Sequence, residues 1–364
     1  MEYRTNRRTG DKIGVIGIGT GPLYETEEKD ALEALGYAYE HGVNYVDFAT
    51  AGAGTFTYAG RAFSSVRKDL FYQVHFGADY ETGEYGWTTK LETVKKQVDW
   101  QLKELGTDYI DYGFIHCLDE ESDWRDYQEN GVLDFLLEMK KEGAVHHIGL
   151  SSHTPELAEK VLDTGLVDEL MFSINPSYDY QHGEYANGSA AERMKLYRRC
   201  EAEGIGISVM KPFSAGQLLS DKTSPFGKKL TKYQCIQYAL DKPGVVTVLP
   251  GIRGLQDMKE VLGFFDAPEE ERDYSVLGSF TPNDASGVCV YCNHCAPCPA
   301  GLNIGLINKY YDLAMIGDSM AEDHYLKLEK KASDCISCGH CDSRCPFGVG
   351  QSDRMKTIAA YFGV

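Results

Sequence analysis

What the 364-residue chain lacks sets the first limits. It contains no run of about 18 apolar residues, so no segment reads as a membrane-spanning helix. Positive charge is short: 36 Lys and Arg face 55 Asp and Glu, a formal net charge of −19. A surface of that sign repels phosphate backbones and anionic lipid, which argues against nucleic acid or a membrane as partner. The opening MEYRTNRRTG is followed by no apolar leader core, so a cytoplasmic protein is expected. Over the first 288 residues cysteine is scarce, with only Cys117, Cys200 and Cys235, which excludes a disulfide scaffold and leaves these as small core thiols. Disorder is excluded by the 43% of hydrophobic residues, enough for a sizeable core.

What is present is an alternation. Between Lys12 and Phe265, short β-branched or aromatic runs alternate with helical stretches. Strands are predicted at residues 13–18, 44–48, 70–75, 109–116, 145–150, 169–174, 206–210 and 245–249. Helices predicted over 31–41, 88–105, 133–141 and 190–203 stop at or near Gly42, Gly106, Gly143 and Gly204, and Thr154-Pro155 opens another. Eight strand–helix units in about 250 residues match a (β/α)8 barrel, with a doubly wound sheet as the rival. The run Gly17-Ile18-Gly19-Thr20-Gly21 imitates a dinucleotide fingerprint. Its third glycine comes one residue early and Pro22 follows, so a tight turn is the better reading.

Several stretches resemble the aldo-keto reductase family. DFATAGAGTFTYAGRAF at 47–63 aligns without gaps with that family's segment after strand two, and LGTDYIDYGFIHCLD at 105–119 resembles its fourth strand. GLSSHTPE, SINPSYDY, GISVMKPFSAGQL and VLPGIRGLQDMKEV follow in the family's order, so the likeness covers about 260 residues and implies the barrel. Members reduce carbonyls by hydride from NADPH, using an Asp, Tyr, Lys and His set. Here Asp47 and His116 stand at their places, but Gly52 occupies the tyrosine position and His75 the lysine position. The general acid is therefore missing, and Tyr58, Tyr85, Tyr178 and Tyr180 are equal candidates to replace it. Asp47, His75 and His116 fall at C-terminal strand ends, where barrel enzymes keep their sites, and are the expected catalytic set. The nucleotide end is altered too: Gly251, Asp257 and Val261 replace the family's lysine, arginine and asparagine. Lys211 and Arg253 are what remains to meet a nicotinamide nucleotide, and NAD(P)H binding stays open.

The tail differs. Cys335, Cys338, Cys341 and Cys345-Pro346 form C-x2-C-x2-C-x3-C-P, the bacterial ferredoxin run, and Cys289, Cys292, Cys295 and Cys298-Pro299 form a near copy. Two-cluster ferredoxins send the cysteine before proline to the other cluster, which pairs Cys289, Cys292, Cys295 with Cys345, and Cys335, Cys338, Cys341 with Cys298. Two [4Fe–4S] clusters are expected, and His294 and His340 read as packing residues. The chain thus resembles the aldo-keto reductase subfamily fused to a ferredoxin domain: a barrel at 1–265, a linker at 266–286 and a small helical iron–sulfur domain at 287–364.

Three functions follow. In the first, the clusters exchange electrons with a small organic substrate at the barrel, in an anaerobic or reducing cytoplasm, with a ferredoxin or flavodoxin as electron donor. The second keeps NAD(P)H-dependent carbonyl reduction with an altered acid. The third is a non-catalytic electron-carrier subunit.

Overall fold

The computed structural model describes residues 1–180, 183, 185–279, 287, 289, 291, 293, 295–315, 318, 320–345 and 347–364. Among them, eight parallel strands form one sheet: β1 (Ile18–Gly19), β2 (Tyr45–Asp47), β3 (Phe71–Phe76), β4 (Ile110–Ile115), β5 (Val145–Ser152), β6 (Glu169–Ser173), β7 (Gly206–Met210) and β8 (Val245–Val248). Each strand neighbours the next in sequence, and parallel bridges Ile16–Val248 and Gly19–Gly251 join the last strand to the first. The sheet therefore curls into the expected (β/α)8 barrel.

The expected first strand at 13–18 divides between two partners. Lys12–Gly14 pairs antiparallel with Tyr3–Thr5, and only Ile16 and β1 join the barrel. Gly19 permits the join, since a Cβ there would lie 2.7 Å from the Leu249 carbonyl oxygen. The glycine run leaves that strand into a 3-10 turn at Gly21–Glu25, in keeping with the tight turn expected there.

Inside the barrel, alternation along each strand decides what points inward. Ile13, Tyr45, Tyr112, Phe114, Met171, Met210, Val246 and Leu249 pack as one apolar cluster. Two residues further along the same faces come Asp47 after Tyr45 and His116 after Phe114, while His75 is paired in register with Phe114. The same period that fills the core thus delivers the polar residues to the C-terminal strand ends.

The crossover helices include α1 (Glu28–Glu40), α2 (Gly54–Ala62), α3 (Leu91–Leu105), α4 (Glu121–Glu129), α5 (Val132–Glu142) and α6 (Pro155–Leu162). Helix α3 ends at Gly106 with φ +64, and α5 at Gly143 with φ +82, left-handed caps that glycine adopts without a Cβ penalty. Between β3 and α3 the chain makes a small hairpin, Ala78–Asp79 pairing with Gly86–Trp87.

The chain divides into two compact units: Met1–Ile174, Ile205–Phe213 and Val246–Ala267 in one, and Asn175–Gly204, Ser214–Val245 and Pro268–Val364 in the other. The second holds α7 (Pro176–Asp179), α8 (Ala190–Glu203) and α9 (Lys232–Leu240); α10 (Leu255–Leu262) belongs to the first. Of the expected linker, Glu269–Arg272 forms a short helix, α11, and Ser275–Ser279 a 3-10 turn. Thr231 Oγ1 donates to the Glu271 carbonyl and Gln234 Nε2 to that of Asp273, so this stretch is tied to α9. The cysteine-rich part adds α12 (Ile304–Met315), α13 (Ala321–Leu326), α14 (His340–Arg344) and α15 (Gln351–Phe362). Ile304, Ile307, Tyr325, Met355 and Ile358 form its core together with Cys295 and Cys341. No described helix is long and apolar enough to cross a membrane.

Candidate active site and cluster-binding cysteines

The three expected catalytic residues meet. His75 Nε2 lies 2.8 Å from Asp47 Oδ1, and His116 Nδ1 lies 2.9 Å from His75 Nδ1. All three side chains are buried. Asp47 is fixed in turn by the backbone N–H of Ala49, at 3.1 Å from Oδ1.

The line continues to a residue that sequence reasoning left as one of four candidates. Tyr85 Oη lies 2.8 Å from His116 Nε2, and its ring crosses the imidazole edge-on. Tyr85 is 42% exposed, so the line runs from a buried carboxylate to an accessible phenol. The small hairpin carries it there. Tyr85 N–H donates to the Ala51 carbonyl, Ala53 N–H donates to the Gly83 carbonyl, and Gly52 bridges Glu84. Trp87 Nε1 then donates to the His116 carbonyl at 3.2 Å. The hairpin is thus laid along the loop where the resemblance expects a tyrosine. At Gly52 itself there is no room, because a Cβ would lie 2.9 Å from the Tyr24 side chain. Tyr178 and Tyr180 are buried, and Tyr58 is half-buried in α2.

One proton placement satisfies all three contacts. Tyr85 O–H donates to His116 Nε2, His116 Nδ1–H to His75 Nδ1, and His75 Nε2–H to the Asp47 carboxylate. Both imidazoles are then neutral. Burial, helped by His75 and then by His153 and Lys211, holds His116 well below the usual histidine pKa, which fits.

Beside this line is a second one. His153 Nδ1 lies 2.8 Å from Asp119 Oδ2, its backbone N–H is 2.6 Å from Asp119 Oδ1, and Lys211 Nζ is 2.9 Å from His153 Nε2. Burial opposes it, but the hydrogen bonds and charge of His153 hold the Asp119 carboxyl below the ordinary range. Cys117 lies past the end of β4, with Sγ 3.9 Å from Asp119 Oδ2. Burial and then Asp119 push its thiol up to about 12. Arg253 is elsewhere. Its side chain is exposed, paired with Asp257 at 3.2 Å, beside a pocket of about 440 Å³ that Glu25, Thr26, Glu27 and Asp30 also line. Lys211 and Arg253 are thus in different surroundings, the first among the strand-end histidines and the second among carboxylates.

In the C-terminal part, Cys298, Cys335, Cys338 and Cys341 line one cavity, with Pro299, Leu302, Ile304 and Met355 as its apolar walls. These are the four thiols that the ferredoxin pairing rule groups together. Four thiols lining one pocket with apolar walls suit the thiolate ligation of an iron–sulfur cluster. The Ser337 N–H points at Cys335 Sγ at 3.4 Å, the kind of bond that stabilises a cluster-bound sulfur. Of the other group, Cys289 and Cys295 are buried, Cys345 is half-buried, and Gln351 Nε2 is 3.6 Å from Cys289 Sγ. Cys292 and His294 lie outside the described residues. His340 lines the same cavity as Cys338, and Cys200 and Cys235 are buried.

Comparison with known proteins finds a match for each of two stretches of the chain. The model of the aldo/keto reductase family matches residues 14–235, and that of a 4Fe-4S dicluster domain matches residues 285–349. L-galactose dehydrogenase of Arabidopsis thaliana is 24% identical over 294 residues, covering 71% of this chain and 86% of its own. The uncharacterized oxidoreductase YqkF of Bacillus subtilis is 24% identical over 297 residues, covering 75% and 94%. The holo form of an aldo-keto reductase from Bacillus halodurans shares the barrel fold, with a TM-score of 0.60 and 22% identity over 75% of this chain and 94% of that one. The chain belongs to the aldo/keto reductase family of oxidoreductases and carries a 4Fe-4S dicluster domain at its C-terminal end.

Proposed function

We propose that this oxidoreductase reduces a small organic molecule at the C-terminal face of the barrel, with Tyr85 as proton donor and electrons exchanged through the C-terminal clusters. The observation that carries the reading is the hydrogen-bonded line Asp47–His75–His116–Tyr85. The division into barrel (1–265), linker (266–286) and cluster-bearing part (287–364) belongs to this reading. Cys298, Cys335, Cys338 and Cys341 hold one [4Fe–4S] cluster, and Cys289, Cys292, Cys295 and Cys345 the other. Such clusters supply electrons one at a time, two in all from the pair.

The residues of the line manage the proton. With both imidazoles neutral, every N–H and O–H points toward Asp47. One proton taken from solvent at Tyr85 Oη, with the phenol and His116 each passing a proton inward, leaves the added proton on His75 beside the Asp47 carboxylate and reverses the line. His75 Nδ1–H then donates to His116 Nδ1, and His116 Nε2–H donates to Tyr85 Oη. Tyr85 gives its own proton to the substrate oxygen or carbon, and the phenolate left behind faces an N–H donor. Burial of Asp47, His75 and His116 keeps water from short-circuiting the relay. Reduction of a carbonyl or an activated double bond consumes two electrons and two protons; Tyr85 gives the first proton and solvent the second.

A second reading has one observation in its favour. A displaced tyrosine also restores the acid of nicotinamide-dependent carbonyl reduction. The pocket at Arg253 is then the nucleotide end. Glu25, Glu27 and Asp30 there would repel a 2′-phosphate, so NADH is favoured over NADPH.

Anaerobic titration of the cluster-loaded protein separates the readings. Bleaching of the cluster absorbance by dithionite or a reduced ferredoxin or flavodoxin, with no response to NADH or NADPH, supports the first. Tight NADH binding with turnover that survives Cys341→Ala overturns it in favour of the second. Under both, Tyr85→Phe lowers turnover by roughly 10²–10⁴-fold with little change in KM.

A further inference from the structure

Gln351 opens α15, and its Nε2 lies 3.6 Å from Cys289 Sγ. A glutamine amide can turn either end toward a sulfur, and a buried row of side chains decides which. At the far end of the row Arg354, one turn along α15, donates through Nε to Asn308 Oδ1. A guanidinium can only donate, so the oxygen of Asn308 must face it. The Asn308 Nδ2 then donates to the Ile304 carbonyl at 2.7 Å and to Gln351 Oε1 at 2.8 Å. With its oxygen taken in this way, Gln351 presents its NH2 group to Cys289.

The row is anchored beyond Arg354. Arg354 Nη2 donates to Asp312 Oδ1, while Asp312 Oδ2 accepts from the Tyr291 hydroxyl and from Arg198 Nη2, each at 2.8 Å. Arg198 comes from α8, Asn308 and Asp312 from α12, and Gln351 and Arg354 from α15, all within one compact unit. Asn308 is 0% and Gln351 2% exposed, so bulk water does not compete for the amides. Turning the Gln351 amide over would set two NH2 groups against each other and place an oxygen on the sulfur, which burial makes costly.

We infer that Gln351, aimed by Asn308 and Arg354, raises the reduction potential of the cluster that Cys289 helps to hold. That Cys289 is a cluster ligand rests on the proposed function; the direction of the amide does not. Reduction brings in one electron from an external one-electron donor, breaks no bond, and leaves the Gln351 proton on Nε2. It adds negative charge that the ligand sulfurs share. An N–H bond to sulfur strengthens with that charge, so the donor favours the reduced state over the oxidised one. Arg198 and Arg354 outnumber Asp312 in the row, and that excess of positive charge acts in the same direction. A weaker reductant can then load this cluster.

Anaerobic potentiometric titration of the full-length, cluster-loaded protein, read by electron paramagnetic resonance, gives both midpoint potentials without turnover. Gln351→Met keeps the length of the side chain and removes the donor. At a set potential the oxidised-to-reduced ratio of one cluster should rise about tenfold, a fall of about 59 mV for a one-electron centre, while the other cluster stays in place. Gln351→Glu still accepts from Asn308 but turns an oxygen to the sulfur, and should lower the same cluster further. Two clusters whose potentials are unmoved in both variants, or that fall together, overturn the inference alone. A wild-type protein whose iron accounts for one cluster, and which keeps it in Cys289→Ser, overturns the ligand assignment and the inference with it.

Discussion

Tyr85 and Glu169 show opposite uses of a polar side chain in the barrel. Tyr85 reaches the site from a ten-residue hairpin with no periodic signal, so nothing in the sequence ranked it above Tyr58, Tyr178 or Tyr180. Asp47, His75 and His116 were legible because each ends a strand whose alternation is plain. The tyrosine was not, because hydrogen bonds between two loops, Tyr85 to Ala51 and Ala53 to Gly83, decide its place. Glu169 is buried at the opposite end of β6, where Tyr45 Oη donates to it at 2.5 Å. Burial pushes its carboxyl up to about 8, against the hydrogen bonds from Tyr45, Ser208 and Asn6 that favour the anion. The folded protein therefore keeps a proton that the unfolded chain releases near pH 4.5. The stabilising contribution is full below that pH, declines as pH rises toward 8, and is flat above it. Glu169→Gln should remove this decline and raise stability at pH 8 by about 1–3 kcal/mol relative to wild type. Urea unfolding at pH 5 and pH 8 checks it; the same loss between the two pH values in wild type and variant would show that Glu169 is not the group responsible.

Elements were easier to read than their partners. Seven of the predicted strands match barrel strands to within about two residues, the scatter expected of element ends. The first did not, since residues 12–19 are continuous in pattern but divide between a hairpin and the barrel, and pattern does not name a partner. The segment 47–63 was informative for a reason the packing makes concrete. Gly60 lies where α2 crosses α3, and a Cβ there would stand 2.1 Å from the Glu104 carbonyl oxygen. That neighbour is backbone and cannot swing aside, so the helices must separate. Gly60→Ala gains helix propensity of about 1 kcal/mol, yet the overpacking should dominate and leave a net loss of about 1–3 kcal/mol. A denaturation midpoint equal to or above that of wild type would mean that α2 and α3 shift apart freely.

For the whole molecule, the cysteine spacing fixed the chemistry of the tail, while its packing was unreadable. Cys295 and Cys341 belong to the small apolar core of the C-terminal part, and Cys298 and Cys335 pack against it. Of the thiols that line the cavity, Cys298, Cys335 and Cys341 are thus also wall or core, and among the described residues the ten buried members of that cluster are few. A core of this size gains much of its stability from what its ligands bind, because metal that binds only the folded state adds its binding free energy to folding. The barrel has its own interior, the cluster around Tyr45, Phe114 and Met171, and contains none of these cysteines. Stripping iron from the full-length protein with an oxidant and chelator should therefore lower the melting temperature of one transition by 10 °C or more, as expected for a loss of about 2–3 kcal/mol in a small cooperative unit. The second transition, read by the near-ultraviolet signal of the tyrosine-rich barrel, should move little. Calorimetry of loaded and stripped protein decides the matter. One shared transition that falls as a whole would show that cluster and barrel fold as a single unit, and Cys341→Ala would then be unfit to separate electron supply from stability.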